Sequence, residues 1–293
     1  MTLINEHMND YDALLEEFIR HGLAEDVGEG DHTSMACIRP TRISKAKLLI
    51  KDDGVLSGVE VARRIFHEVA AASDFELLIP DGSVVKPGDI AFYVTCPTRA
   101  LLMGERLALN TMQRMSGIST ISSLFAQEVE GLPVTVLDTR KTTPGMRFLE
   151  KEAVRLGGCQ NYRSGLYDWI MIKDNHVDAC GSIPLAIDRC HEYLEKQKRH
   201  LDITIEVRNL VEVQTVIDHG GVRRIMMDNF EVPILREAVE MIGGRFESEA
   251  SGGITLHNVR SYAETGVDFV SSGALTHSAG TLDMSLKITF SEG

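Results

Sequence analysis

The 293-residue sequence is short of paired cysteine, of basic charge and of long apolar runs, and each shortage removes a class of protein. Its five cysteines (Cys37, Cys96, Cys159, Cys180 and Cys190) form no C-x-x-C pair. An odd number in a chain of this length fits reduced thiols packed in a cytoplasmic core. Lysine and arginine number 30 against 43 acids, a net charge of -13, so most of the surface would repel a nucleic-acid backbone or an acidic membrane. Any basic site must therefore be local. Nowhere do about eighteen apolar residues run together, and the opening MTLINEHMNDYDALLEEF is acidic and amphipathic, so neither a membrane span nor an export signal is expected. Chemical motifs are missing too: no G-x-S-x-G elbow, no H-E-x-x-H and no cysteine with a nearby histidine pattern supplies a nucleophile or metal site, and no G-x-G-x-x-G points to a dinucleotide. His32 and His67 lack partners at ligand spacing and read as structural or surface residues.

What is present is a globular composition, 43% hydrophobic, long enough for one large or two moderate domains. Apolar residues at helical spacing predict a helix over Tyr11 to Gly22, followed by a polar loop from Leu23 to Ser34. Strands over Ile43 to Lys51, Phe75 to Ile79, Ser83 to Val85 and Ile90 to Cys96, with a helix from Val59 to Val69, predict a small α+β domain. The stretch Leu101 to Ile118 is apolar on almost every side, as in a helix buried between domains or subunits. Within it Arg106 must either meet a carboxylate such as Glu105 or reach into a site.

Beyond Gly131, short β-branched runs alternate with amphipathic helices, the pattern of parallel βαβ units. Six candidate strands lie near Val134 to Leu137, Ile170 to Ile172, Ile203 to Ile205, Arg224 to Met227, Phe246 to Ala250 and Asp268 to Val270. They lead into Asp138 and Arg140, Lys173, Glu206 and Arg208, Asp228 and Asn229, Ser251-Gly252-Gly253 and Ser272-Gly273. Carboxyl ends of parallel strands are where such folds place their chemistry. About six strands, against the eight of a complete barrel, predict an incomplete α/β barrel, with an open doubly wound sheet as the other arrangement. We expect an N-terminal α+β sandwich domain over 1-115, rejoined by 278-293, where a strand from Asp283 to Phe290 returns, and a catalytic barrel domain over 116-277.

Two polar clusters dominate the chain, DTRKTTPG (Asp138 to Gly145) and KDNH (Lys173 to His176). Thr143-Pro144 reads as N-cap and first residue of a helix from Pro144 to Leu156, whose amides, with Arg140, Lys141 and Arg147 beside them, would suit a phosphate or carboxylate. One rim then offers cations (Arg140, Lys141, Arg163, Lys173), the carboxylates Glu206 and Asp228, and two small-residue loops, a mixture suited to a polyanion with magnesium. The plainer account pairs Glu206 and Asp228 with Arg208 and Arg223 and leaves the glycines as turns.

The same stretches, with EKEAVRLGG, GLYD, ERLALNTMQRMSGIST, MDNF, ASGGI and ETGVDFVSSGALTH, resemble the quinolinate phosphoribosyltransferase family over nearly the whole chain. The resemblance implies transfer of phosphoribose from phosphoribosyl pyrophosphate to quinolinate, with magnesium, giving nicotinate mononucleotide, pyrophosphate and carbon dioxide, in a homodimer with shared sites. By matching position it implies that Arg106, supplied by a neighbouring subunit, and Arg140, Arg163 and Lys173 hold quinolinate. Lys141, Glu206, Asp228, Ser251, Gly252, Gly253, Ser272, Gly273 and His277 match the sugar-phosphate and metal residues, Glu206 and Asp228 being the metal pair. One residue departs: Asn161-Tyr162-Arg163 stands where the family usually has N-H-R, so a neutral phenol replaces a pocket histidine. The other classes considered are a binding module for a small anion, a relative associated with molybdenum transport, and an aldolase-like barrel using Lys173 as a Schiff base.

Overall fold

A computed structural model describes residues 2–289. Its elements are, in order, α1 (Thr2–Val27), α2 (His32–Cys37), β1 (Ile43–Ile50), β2 (Gly54–Val55), α3 (Val59–Val69), β3 (Asp74–Leu77), β4 (Val84–Val85), β5 (Ile90–Pro97) and α4 (Thr98–Glu128). Then come β6 (Thr135–Leu137), α5 (Arg147–Leu156), β7 (Ile170–Ile172), α6 (Asp174–Cys180), α7 (Ile183–Gln197), β8 (Ile203–Val207), α8 (Leu210–His219) and β9 (Arg224–Asp228). The chain continues through α9 (Val232–Ile242), β10 (Glu247–Ser251), α10 (Val259–Ala263), β11 (Phe269–Ser271) and β12 (Met284–Thr289). No helix among the described residues is long and apolar enough to cross a membrane.

Two units divide these elements. One takes the chain to Ser123, residues Thr143–Gly158 and everything from Ala279; the other takes Leu124–Thr142 and Cys159–Ser278. This division runs differently from the expected 1-115 and 116-277. Helix α4 continues unbroken past residue 115, and α5 carries its own residues into the first unit.

In the first unit an antiparallel sheet has the order β12-β1-β5-β3, its centre built on the alternation of Ala46, Leu48 and Ile50 toward the core. Helix α3 lays Ile65 and Phe66 on it, and Phe66 meets Phe92 of β5 edge-on at 6.3 Å between ring centroids. Both rings are fully buried, each contributing roughly 2–3 kcal/mol by transfer from water. The expected return strand is β12, paired with β1 from Met284 to Thr289; Phe290 lies outside the described residues.

Two local expectations fail here. Residues after Gly22 continue α1 to Val27, and Asp31 then caps α2 by accepting from Ser34 N–H at 3.0 Å, so the expected loop is mostly helix. Leu23, Ala24 and Val27 extend the apolar spacing, and the glycines only stop it at Gly28 and Gly30. Likewise Thr143-Pro144 does not start α5. Gly145 adopts φ +79°, Met146 is the N-cap, and the Thr143 hydroxyl and N–H both donate to the buried Glu150 carboxylate, at 2.7 and 3.1 Å. A left-handed residue cannot lie inside a helical turn, so the helix begins two residues beyond it.

The second unit holds a six-stranded parallel sheet in the order β6-β11-β10-β9-β8-β7. Each strand after β7 lies next to its predecessor and the last, β11, lies beside the first, β6. That is the cyclic order of a barrel, open between β6 and β7; a doubly wound sheet reverses at a switch point instead. On its other side β6 is touched through a parallel bridge from Leu137 to Gln160. The unit is an incomplete α/β barrel.

Candidate active site

The strands place their carboxyl ends around a cavity of about 530 Å³. Because side chains alternate along a strand, Met171 and Lys173, then Met226 and Asp228, come to the same face and line it together. Glu206 from β8, Ser251 from β10 and Ser271 from β11 complete the strand contribution.

After β6 the chain turns sharply. The Thr139 hydroxyl oxygen accepts the Lys141 N–H at 3.1 Å, and the Lys141 carbonyl accepts the Thr276 hydroxyl at 2.8 Å. Arg140 and Lys141 thereby face the cavity. The buried Asp138 carboxylate accepts the Tyr162 N–H at 2.8 Å, tying Tyr162 and Arg163 to the same wall. Arg140 Nε is buried without a hydrogen-bond partner. Burial first, and then the Arg140 charge nearby, lower the pKa of the Arg163 guanidinium. Two guanidiniums placed together with a donor unspent form a receptor for a carboxylate or phosphate.

Opposite charge is held a few residues away. Lys173 Nζ donates to Glu206 Oε2 at 2.7 Å, and Lys173 N–H donates to His176 Nδ1 at 2.8 Å, which fixes the start of α6. Desolvation, reinforced by the neighbouring Glu206, raises the Asp228 carboxyl above its usual range. Arg208 instead pairs with Asp178 and Glu212, and Arg223 with Asp202 and Glu247, so neither neutralises Glu206 or Asp228. The lining therefore has four cations and two carboxylates on a chain of net charge -13.

Glycine is obligatory at one place, Gly252, and space is tight at another, Gly273. Gly252 has φ +91°, and a Cβ there would overlap the Asn229 side chain. Asn229, itself at φ +56°, donates from Nδ2 to Asp228 Oδ2 at 2.7 Å, so this close approach sets the Asp228 carboxylate. At Gly273 a Cβ would meet the His277 ring at 2.7 Å and Lys141 Cδ at 2.9 Å.

Comparison with known proteins settles the ancestry of this arrangement. A family model described as quinolinate phosphoribosyl transferase, C-terminal domain, matches residues 118–287, and the corresponding N-terminal domain matches 31–116. The chain belongs to the quinolinate phosphoribosyltransferase family. Decarboxylating quinolinate phosphoribosyltransferase 1 of Nicotiana glauca is 42% identical over 289 residues, covering 94% of this chain and 82% of its own. The probable carboxylating nicotinate-nucleotide pyrophosphorylase of Bacillus subtilis (strain 168) is 36% identical over 277 residues, with 94% of each covered. Among solved structures, NadC from Streptococcus pyogenes superposes with a TM-score of 0.88 at 34% identity, covering 94% of this chain and 97% of that one.

In this quinolinate phosphoribosyltransferase relative the cavity gathers Arg140, Lys141, Tyr162, Arg163, Lys173, Glu206, Asp228 and Ser251-Gly252-Gly253. Arg106, Ser272, Gly273 and His277 are not among its lining residues. Arg106 is an exposed residue of α4 in the first unit. Ser272 donates to Ile254 O at 2.7 Å and accepts from Ala274 N–H at 3.2 Å, shaping the turn after β11, and His277 is exposed beside Gly273. Sequence reasoning passed over Met171, Met226 and Ser271, which also line the cavity; Thr139 and Asn229, noted only as members of the polar strand ends, line it too. Strand alternation counted back from Lys173 and Asp228 finds the two methionines.

Proposed function

We propose that this chain is a quinolinate phosphoribosyltransferase in activity as well as descent, converting quinolinate and phosphoribosyl pyrophosphate into nicotinate mononucleotide, pyrophosphate and carbon dioxide. The observation that carries this reading is the Arg140–Arg163 pair, with one buried N–H unspent, lining one cavity together with the Glu206 and Asp228 carboxylates. Arg140, Arg163 and Lys173 bind the two carboxylates of the ring acid and orient its nitrogen. The bond from the anomeric carbon to pyrophosphate breaks as the ring nitrogen bonds to that carbon. The positive nitrogen of the pyridinium so formed stabilises the electron pair left on the adjacent ring carbon when its carboxylate departs as carbon dioxide, and a proton then joins that carbon. Lys141 and the Ser251-Gly252-Gly253 loop serve the phosphates.

Magnesium belongs to this proposal. Glu206 and Asp228 fit a hard cation: both are oxygen ligands, and Asp228 is raised by desolvation first and by the Glu206 charge second, a repulsion that a positive ion relieves. When bound, the ion would neutralise pyrophosphate charge. Lys173 Nζ is engaged by Glu206 at 2.7 Å and half-exposed, which favours a charged binding role over an enclosed Schiff-base amine. A homodimer, with Arg106 from one subunit serving the other, completes the reading. Incubation with quinolinate, phosphoribosyl pyrophosphate and magnesium tests it. Formation of nicotinate mononucleotide in equal amount with carbon dioxide is expected, and absence of both refutes it.

A further inference from the structure

Beneath the cavity the barrel interior is polar. Alternation puts Thr204 below Glu206 on β8, Arg224 below Met226 and Asp228 on β9, and Glu247 and Glu249 below Ser251 on β10. Arg224 is almost fully buried. Its Nη1 donates to Glu249 Oε2 at 3.0 Å, and its Nε and Nη2 donate to Glu247 Oε2 at 2.9 and 2.8 Å. The flat guanidinium also lies against aromatic rings, its carbon 5.0 Å from the Tyr162 centroid, 5.5 Å from Trp169 and 3.7 Å from Phe269. Tyr162 and Trp169 meet edge-on at 5.8 Å, and both end on one atom: Thr204 Oγ1 accepts the Trp169 indole N–H at 2.9 Å and lies 2.8 Å from the Tyr162 hydroxyl. Burial pushes the Tyr162 phenol up, and the Glu249 carboxylate beside it pushes further.

The phenol's polar atom is thus spent on the layer below, and the rest of the side chain lines the cavity. We propose that Tyr162 bounds the acceptor site with its ring while its hydroxyl is committed to the polar layer, and that Thr204 and Arg224 are positioning residues that hold that ring. The inference rests on the reading that this cavity takes quinolinate. It makes position 162 a determinant of shape, selecting a flat ring acid by a fixed aromatic wall and leaving carboxylate recognition to the cations. Arginine suits the role because a planar guanidinium pairs with carboxylates and stacks on rings at once, which an ammonium does not.

The chain has one tryptophan, and it sits in this cluster, so its fluorescence reads the positioning directly. The test measures quinolinate Kd, KM and kcat together with Trp169 emission in Tyr162→Phe, Thr204→Val and their double variant. Each single change is expected to shift the emission and raise quinolinate KM about three- to tenfold with kcat within about twofold. The double variant should be no worse than the more affected single, because both act through one contact. Thr204→Ser, which keeps the hydroxyl, should restore both readouts. Arg224→Lys should shift the emission in the same sense; should it fail to fold, the volume-matched Thr204→Val still decides. Additive losses in the double variant, or a folded Thr204→Val with wild-type emission and affinity, would overturn the inference by showing that the Tyr162 ring is not held through Thr204. An unmodified chain that does not bind quinolinate would overturn the functional reading as well, whereas binding with the wrong variant pattern overturns the positioning role alone.

Discussion

If the Arg140–Arg163 pair receives the substrate carboxylates as proposed, Arg140 is a residue costly to the empty protein and useful to the occupied one. A guanidinium N–H buried without a partner loses its hydration and gains nothing until an anion arrives. Arg140→Ala should therefore fold normally and bind quinolinate more weakly by roughly 1.5–3 kcal/mol, about ten- to 150-fold, in calorimetric titration. Asp228 pays a similar cost with the opposite charge. Its carboxyl is raised by desolvation and by Glu206, so above its unfolded pKa the folded state begins to be penalised, and above its folded pKa the penalty is complete. Below the unfolded value both states are protonated and the penalty is absent. Asp228→Asn should accordingly raise Tm at neutral pH, with the gain shrinking as pH falls through the carboxylate range; a gain independent of pH would mean that Asp228 is not strained. If the two acids share one magnesium ion, Glu206→Ala and Asp228→Ala should each raise the magnesium requirement for turnover, and the double variant should do so by less than the sum.

At the scale of elements, α5 is the instructive case. Its core contact is an ion pair: Arg114 of α4 donates to Glu150 at 2.9 Å, and that carboxylate is fully buried. Arg114→Met should cost about 3 kcal/mol or more in urea unfolding, because the acid it leaves stays buried without its charged partner, though Thr143 still donates to it. Thr143-Pro144 looked like a helix start because hydroxyl followed by proline is a sound local signal. What outweighed it is a long-range partner, Glu150, that no window of sequence contains. By contrast α3 occupies the residues its pattern marks, Val59 to Val69, and each of the six parallel strands falls within a residue or two of the stretch expected for it. Those elements are set by burial of a regular face, and a regular face is written in the sequence. The carboxyl-end polar residues were legible for the same reason: they come immediately after such runs. Thr204, Arg224 and Glu249 were not, since a charged residue inside an apolar strand reads as an exception until its partners on neighbouring strands are known.

Over the whole molecule, Arg106 is exposed on α4 and lies outside the lining of the cavity. If it completes a partner's pocket, mixing inactive Arg106→Ala and Lys173→Ala subunits should restore activity. Random exchange makes about half of the dimers mixed, each with one intact pocket of two, so roughly a quarter of wild-type turnover is expected once exchange is confirmed by mass. Confirmed mixed dimers without activity would confine Arg106 to its own subunit or to no role. The interrupted path of the chain through the first unit has a consequence for how the protein is made. Strand β1 is made well before its partner β12, with Ile50 waiting for Met284. At about 5–20 residues per second, a ribosome leaves that strand edge uncovered for on the order of 10–50 s. During that interval the barrel strands, all encoded between the two, can pair among themselves. The nascent chain thus carries an open, apolar sheet margin while its barrel matures, a state that favours chaperone capture and in which crowding of unfinished chains, rather than any weakness of the finished fold, would limit yield.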